Sequence, residues 1–517
     1  MNTGLLIAQT STTTTTATSG IELPSLLLTL TVFLPFIGFI LVPFFPERTD
    51  EQRTRVRLVA LTASAASFFI VTFFIMLSQI GLAEGGGQAS ANEENYHWLA
   101  FSFIANYHLR ADGISLALLV VSGIVFVCLF LHAWKVRERV RLYVGLLLVL
   151  QTAVNGVLCS ADFVLFLIFW GMQIVPVYVL IRAYGGVGRA RAAGRYLAMS
   201  SLAFGLLLVS VLLVIVKAGQ HSSDISTDYT TLLGPVAAAG FWLSLAAFTI
   251  TLGVFPVHRW LIDVTAEASP GVAAAVRGVL VMLGGYGLMR VTLGTFPGPS
   301  KQFSLVLVAL AVVSAAWGSL GALAQDDARR FISYSSMALL ALVMLAVGAH
   351  TSVALQGAIF LMAAHAVAIT MLALITGSIE ERARTRSIRA LGGLATQTPR
   401  LAALWMVAVL TAIGVPLLAG FVAEFLLFTG AFPTHRIATL LALATLVVST
   451  SGLLWMAHRI FFGPLREALA RARDATALEL TYLLPLVAMG LLFGVRPGAV
   501  TPVILNGVLN ITTRLSG

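Results

Sequence analysis

GISLALLVVSGIVFVCLFLHAW, residues 113–134, runs for 22 residues without an Asp, Glu, Lys or Arg. About 20 apolar helical residues cross the hydrocarbon core of a bilayer, so this stretch is long enough to span it. It is also apolar all round, unlike the one-sided pattern of a helix on a soluble protein's surface. Directly after it comes Lys135-Val136-Arg137-Glu138-Arg139-Val140-Arg141, a short basic loop of the kind retained on the cytoplasmic side. Long apolar runs recur near residues 25–45, 57–79, 142–160, 163–181, 196–216, 232–255, 271–296, 302–324, 331–349, 352–377, 401–430, 437–462 and 480–495. With the first, they make an all-α integral membrane protein of about fourteen spans.

Composition excludes the alternatives. Of 517 residues, 58% belong to the AVILMFWYC set and only 10% are charged, which leaves no room for a sizeable soluble domain. The net charge of +10 would suggest nucleic acid in a soluble protein. Here the arginines instead fall between apolar runs, and their positions test the span count. Loops after odd-numbered spans carry Arg48 to Arg57, Lys135 to Arg141, Arg182 to Arg195, Arg329 and Arg330, Arg382 to Arg400, and Arg466 to Arg473; even-numbered loops carry few. The alternation predicts a bacterial-type plasma membrane protein with its basic loops cytoplasmic and both termini on the outer side. The Ser/Thr-rich start, residues 1–24, reads as a disordered tail. Residues 465–477, with their amphipathic, arginine-bearing pattern, predict a helix lying on the cytoplasmic interface.

Only Cys128 and Cys159 are present, both in apolar runs, so the chain builds no disulfide framework and no iron–sulfur or zinc site. The Gly185-Gly186-Val187-Gly188 loop has no strand before it, which argues against a phosphate cradle. No catalytic constellation, cofactor-binding motif or metal-ligand cluster is legible.

Two spans contain a proline inside an apolar helical run, at Gly253-Val254-Phe255-Pro256 and Gly414-Val415-Pro416. A proline frees a backbone carbonyl, and paired interrupted helices often mark the ion path of a transporter; such a break also serves as a packing kink. Around these breaks lie Phe255 to Asp263 with Glu267-Ala268, Gly284-Gly285-Tyr286-Gly287, Ile332-Ser333-Tyr334-Ser335-Ser336, Ala364-His365, and Ala419 to Phe425 with Glu424. Together with Phe169-Trp170, Pro176 and Arg459 to Pro464, these ordered motifs resemble the antiporter-like membrane subunits of respiratory complex I, closest to chain M. The resemblance covers about residues 105–465 and extends to Mrp-type sodium/proton antiporter subunits.

That resemblance implies two inverted five-helix repeats with broken helices, here 141–300 and 301–464, after N-terminal helices at 25–140 and before an interfacial helix and final span in 465–517. It implies a proton path along a polar axis. Its partners would be the other membrane-arm and redox subunits of a complex I-like assembly and the lipid bilayer, with flavin, iron–sulfur clusters and quinone held in those subunits. A relay needs groups that gain and lose protons near neutral pH, and here the chain departs from the family. Alignment on the motifs puts Gly171, Thr251 and Met282 where the family carries a glutamate and two lysines. The chain's three lysines, Lys135, Lys217 and Lys301, all lie at span ends or in loops.

What remains is uneven. Glu424 is the one carboxylate placed deep in a span, and His365 matches a relay histidine. These two and His258 are the candidate pathway residues. Asp263, Glu267, Pro256 and Pro416 are candidate support or coupling residues. Arg277 lies inside an apolar run where a central arginine costs about 2.5–3.5 kcal/mol, so it requires a carboxylate partner or a polar cavity, with Glu267 or a group on a partner subunit as the candidates. Arginine stays protonated and biases a neighbour's titration without relaying protons. The reading is therefore a membrane-arm subunit of an NADH:quinone oxidoreductase type, with pumping reduced or absent. A non-pumping coupling subunit, or an ion antiporter or ion-driven uptake subunit without redox chemistry, stays open.

Overall fold

The computed structural model describes residues 26–84, 92–100, 104–217, 223–225 and 234–516; the expected tail at 1–24 lies outside them. Every apolar run becomes a helix. The first half comprises α1 (Leu27–Phe44), α2 (Asp50–Gly81), α3 (Gly113–Lys135), α4 (Val140–Cys159), α5 (Phe163–Tyr184), α6 (Arg189–Val216) and α7 (Gly234–Leu252). A break then leads to a short α8 (Arg259–Glu267) and to α9 (Pro270–Leu293). The second half holds α10 (Ser304–Leu323), α11 (Ala328–Ala349) and the long α12 (Ser352–Ala383). The run at 401–430 is two short helices, α13 (Pro399–Ala412) and α14 (Ala419–Ala431), and it is followed by α15 (Arg436–Phe461) and α16 (Ala477–Val495). Among the described residues thirteen helices are long and apolar enough to cross a membrane, against the fourteen runs counted in the sequence, and α13 and α14 are two shorter apolar helices.

Polar residues mark where the helices begin. Asp112, Asp162, Asp327 and Thr351 each accept a backbone N–H from the first turn of α3, α5, α11 and α12, satisfying donors that have no partner within the helix. Burial then sorts the bundle. Helix α9 is wholly buried and α3, α11 and α12 nearly so, whereas α2, α6 and α15 leave most of their apolar surface on the outside, as lipid-facing helices do.

Two features depart from the sequence reading. Two segments too polar for a span pair as the antiparallel strands of a hairpin, β1 (Asn92–Ala100) and β2 (Ile104–Ala111). Its Glu94 carboxylate accepts the Leu28 N–H at 2.7 Å, so the hairpin caps the start of α1. The second is the expected interfacial helix at 465–477, which is not an α-helix: only Glu467–Leu469 makes a 3₁₀ turn. The segment is pinned instead, because Arg382 donates to the Arg473 carbonyl at 2.7 Å and the Arg400 N–H donates to Asp474 at 3.1 Å. A further helix, α17 (Thr501–Ser516), follows α16 and packs against the start of α3, where Gly113 and Gly507 allow close backbone approach.

The arginine-bearing loops gather at one end of the bundle. Arg57 donates to Val136 O (2.6 Å), the Arg141 N–H to Glu47 (2.9 Å), Tyr184 to Arg139 O (2.7 Å) and the Arg389 N–H to Asp326 (3.0 Å). The hairpin lies at the other end, where His108 meets Glu93 at 2.6 Å and Asp224 at 2.9 Å. Burial opposes the imidazolium, but hydrogen bonds and charge from Asp224 and Glu93 outweigh it and hold His108 above its ordinary pKa. A raised folded-state pKa means stability that is full below the unfolded value and lost as pH rises through the folded one. Amide exchange of Ile104–Ala111, corrected for intrinsic rates, is expected to show more protection at pH 6 than at pH 9, and equal protection would refute this pairing.

Helices α12 and α14 run antiparallel with almost no space between their backbones. A Cβ on Gly357 would lie 2.3 Å from Leu427 N, and one on Gly430 would lie 2.2 Å from Ala354 N. Replacing Gly357 by alanine gains about 1 kcal/mol of helix propensity, but overpacking against rigid backbone costs about 1–3 kcal/mol. A net loss of thermal stability in detergent is the expected result, and an unchanged midpoint would contradict the packing.

Candidate functional site

Both breaks use a glycine that a side chain would spoil. Gly253 (φ +63) ends α7 and Gly414 (φ +69) ends α13, and left-handed backbone is easy only for glycine. At the second break Leu417 is also left-handed (φ +77). A Cβ on Gly414 would fall 2.1 Å from Glu424 Oε2, so the missing side chain is also the space the carboxylate fills. Glu424 on α14 is buried, its Oε1 has no protein partner, and none of the ion pairs among the described residues includes it. Pro416 sits inside this second break and Pro256 inside the first, as the sequence indicated.

His365 on α12 is buried, with Nε2 at 2.6 Å from Ser336 Oγ of α11 and Nδ1 free of protein partners. One turn earlier on α11, the Ser333 carbonyl accepts Arg277 Nη2 at 2.6 Å and the Ser333 hydroxyl lies 2.7 Å from Thr265 Oγ1. His258, just past the first break, is buried against the rings of Trp317 and Tyr334, and its Nδ1 has no partner. The Arg277 charge acts on both imidazoles. Thus His258, Arg277 and His365 share one polar neighbourhood, lined by the hydroxyls of Thr265, Ser333 and Ser336. Those hydroxyls stand in the Ile332 to Ser336 motif and at a polar position of α8; the three-residue spacing of Ser333 and Ser336 was the available signal.

Glu424 is not in contact with that group. The close approaches of Gly357 to Leu427 and Gly430 to Ala354 set the antiparallel register, which puts His365 level with the start of α14 near Ala419. Glu424 then lies about five residues, roughly 7 Å, further along the axis. Transfer between the two groups needs an intervening donor and acceptor, such as water.

The first half carries a different lining. A cavity beside the first break is bounded by Trp170, Gln173, Tyr196, Ser200, Thr251, Trp260 and apolar side chains of α9, with no carboxylate, lysine, histidine or arginine among them. Thr251 turns its hydroxyl back to Ala247 O at 3.0 Å. A Cβ on Gly171 would touch the Phe204 ring at 3.3 Å, and Met282 is fully buried. The polar groups in this lining are hydroxyls, an amide and indoles, none of which is an acid or base of the kind a relay uses near neutral pH.

Of the candidate support residues, Asp263 and Glu267 sit at the arginine-rich end. Asp263 pairs with Arg195 and, at 2.9 Å, with Arg330. Glu267 accepts the Gly188 N–H at 2.8 Å, and its carbonyl accepts the Gly186 N–H at 2.7 Å. The glycine loop therefore holds a carboxylate of this chain, and Glu267 is not the partner of Arg277, correcting the pairing suggested by their sequence proximity. Two polar clusters escaped the sequence reading because their members lie far apart along the chain. One is Asp112 with Arg290 at 2.6 Å; the other gathers Lys135, Arg382 and Glu479.

Comparison with known proteins places this arrangement. The family model described as NADH:quinone oxidoreductase/Mrp antiporter, TM, matches residues 160–451. NADH-quinone oxidoreductase subunit M of Rhodobacter capsulatus is 31% identical over 501 residues, covering 94% of this chain and 96% of that protein. A chain of respiratory complex I from Thermus thermophilus with bound NADH superposes with a TM-score of 0.83 at 24% identity, over 95% of this chain and all of that one. A chain of the Mrp complex from Dietzia sp. DQ12-45-1b gives 0.81 at 21% identity, over 95% and 99%.

Proposed function

Because the chain belongs to the NADH:quinone oxidoreductase/Mrp antiporter transmembrane family, we propose that it is a membrane-arm subunit of a complex I-like quinone oxidoreductase. The observation that carries this reading is the near end-to-end similarity to a subunit M, together with a glycine–proline break and a buried ionisable group in the second half. On this reading residues 141–300 and 301–464 are the two inverted repeats. The arginine-rich end faces the cytoplasm, in agreement with the retention of basic loops there. Flavin, iron–sulfur clusters and quinone belong to partner subunits.

We further propose that the chain retains a proton half-path in its second half and has no continuous relay through the first. Glu424 takes up and releases a proton, His365 with Ser336 extends the path toward α11, and His258 marks its approach to the first break. Arg277 supplies a fixed positive charge beside both histidines. Asp263 ties α8 to the starts of α6 and α11 through Arg195 and Arg330, and Glu267 ties it to the loop at Gly186–Gly188, giving movement at the arginine-rich end a mechanical route to the break at Pro256. A chain that only couples or braces its neighbours is the second reading, and the cavity beside Thr251, lined without a proton carrier, favours it.

The assignment to a redox assembly is tested by tagging the chain in its native membranes, extracting it in mild detergent and identifying what co-purifies. Iron–sulfur and quinone-site proteins are the expected companions. Recovery with other membrane subunits alone would replace the oxidoreductase reading by an antiporter or ion-driven uptake system.

A further inference from the structure

Arg277 presents an unbalanced charge. It is only 2% exposed, its Nη2 is spent on the Ser333 carbonyl, and Nε and Nη1 have no protein partner. No ion pair among the described residues includes it, and the carboxylates around α8 and α9 are engaged elsewhere. Glu380 binds Arg329 and Arg386, both at 2.8 Å, Asp263 binds Arg195 and Arg330, and Glu267 binds the Gly188 amide. Arg329 and Arg386 thus share Glu380, Arg195 and Arg330 share Asp263, and Arg277, more deeply buried than any of the four, is left without a carboxylate. Leaving an ion buried and unpaired costs several kcal/mol by general precedent, far more than a neutral hydrogen bond returns.

The space beside it is suited to an anion. Arg277 lines a small cavity with Thr265, Arg329, Ser333 and Thr376, closed by Pro270 and Ile369. Thr376 Oγ1 is a second buried group there without a protein partner. The cavity offers N–H and O–H donors and a net positive field, contains no carboxylate in its lining, and has room for a species of about water size. A phosphate or an organic acid is too large. A single water fits but leaves the charge uncompensated.

We propose that the Arg277 cavity binds a small monovalent anion of the chloride class, which serves as the counter-ion of the buried guanidinium. The anion replaces the carboxylate that the chain does not provide, and its site is independent of whether protons move through Glu424. Bound beside Arg277, it also screens the field that this residue exerts on His258 and His365.

The test uses the purified full-length chain, exchanged into gluconate and titrated with chloride at constant ionic strength. Excess ³⁵Cl NMR line broadening is expected for the wild type and for Arg55→Gln, an exposed arginine paired with Glu51. It is expected to fall to background in Arg277→Met. Chloride should raise the wild-type melting midpoint by about 2 °C and leave Arg277→Met unmoved. Broadening that persists in Arg277→Met, or is absent from the wild type, would overturn the proposal and leave water as the occupant. Should the variant fail to fold, bromide-soaked wild-type crystals decide the matter: an anomalous peak in contact with the guanidinium supports the site, and its absence rejects it.

Discussion

Replacing Glu479 by alanine is expected to cost about 3–5 kcal/mol of stability, the range found when one member of a buried ion pair is removed. The Glu479 side chain is 1% exposed and accepts from Lys135 Nζ at 2.9 Å, from Arg382 at 2.7 and 3.0 Å and from the Thr476 N–H at 2.8 Å. It thereby clamps the ends of α3 and α12 to the first turn of α16, three helices far apart in the sequence. Truncation strands two cations whose remaining acid, Glu381, pairs only with Lys135 at 3.0 Å and is half exposed. Equilibrium unfolding in mild detergent measures the loss. The triple variant Glu479→Leu, Lys135→Met, Arg382→Met should recover much of it, because an apolar replacement removes the charges together. A single variant as stable as the wild type would mean that the clamp is not formed.

The contrast between this cluster and the spans explains what a reader of the sequence can find. Span positions are local: GISLALLVVSGIVFVCLFLHAW needs no neighbour to be recognised, and each basic loop confirms the passage before it. Both breaks were legible for the same reason, because glycine and proline act on their own backbone. Glu424 stood out because a carboxylate among Phe421, Val422, Phe425 and Leu426 has no local explanation. What stayed hidden is long-range. Lys135, Arg382 and Glu479 come together only after folding, and the partner expected for Arg277, ten residues away at Glu267, is drawn off by the Gly188 amide. Strands β1 and β2 carried no apolar signal; they are joined to α1 by hydrogen bonds from Leu28 and Thr29 to Glu94. The amphipathic pattern of residues 465–477 was real, but hydrogen bonds from Arg382 and Arg400 hold that segment as a strap.

Glu424 carries the central claim that the second half of the chain still moves protons. Its carboxyl fills the space left by Gly414 at a helix break, has an oxygen without a protein partner and lies in an apolar run, where an acid kept charged without a partner is costly. Such a group is readily protonated and released again when a neighbouring charge moves, whereas glutamine of the same shape cannot hold the proton. The most direct measurement is therefore the proton-to-electron ratio of the assembled complex in sealed vesicles, comparing wild type with Glu424→Gln and with Glu467→Gln as a loop control. The account predicts full assembly and electron transfer in both variants, with the ratio lowered by this chain's whole share in Glu424→Gln alone. An unchanged ratio in a fully assembled Glu424→Gln complex would contradict it and leave the chain a structural member of its membrane arm.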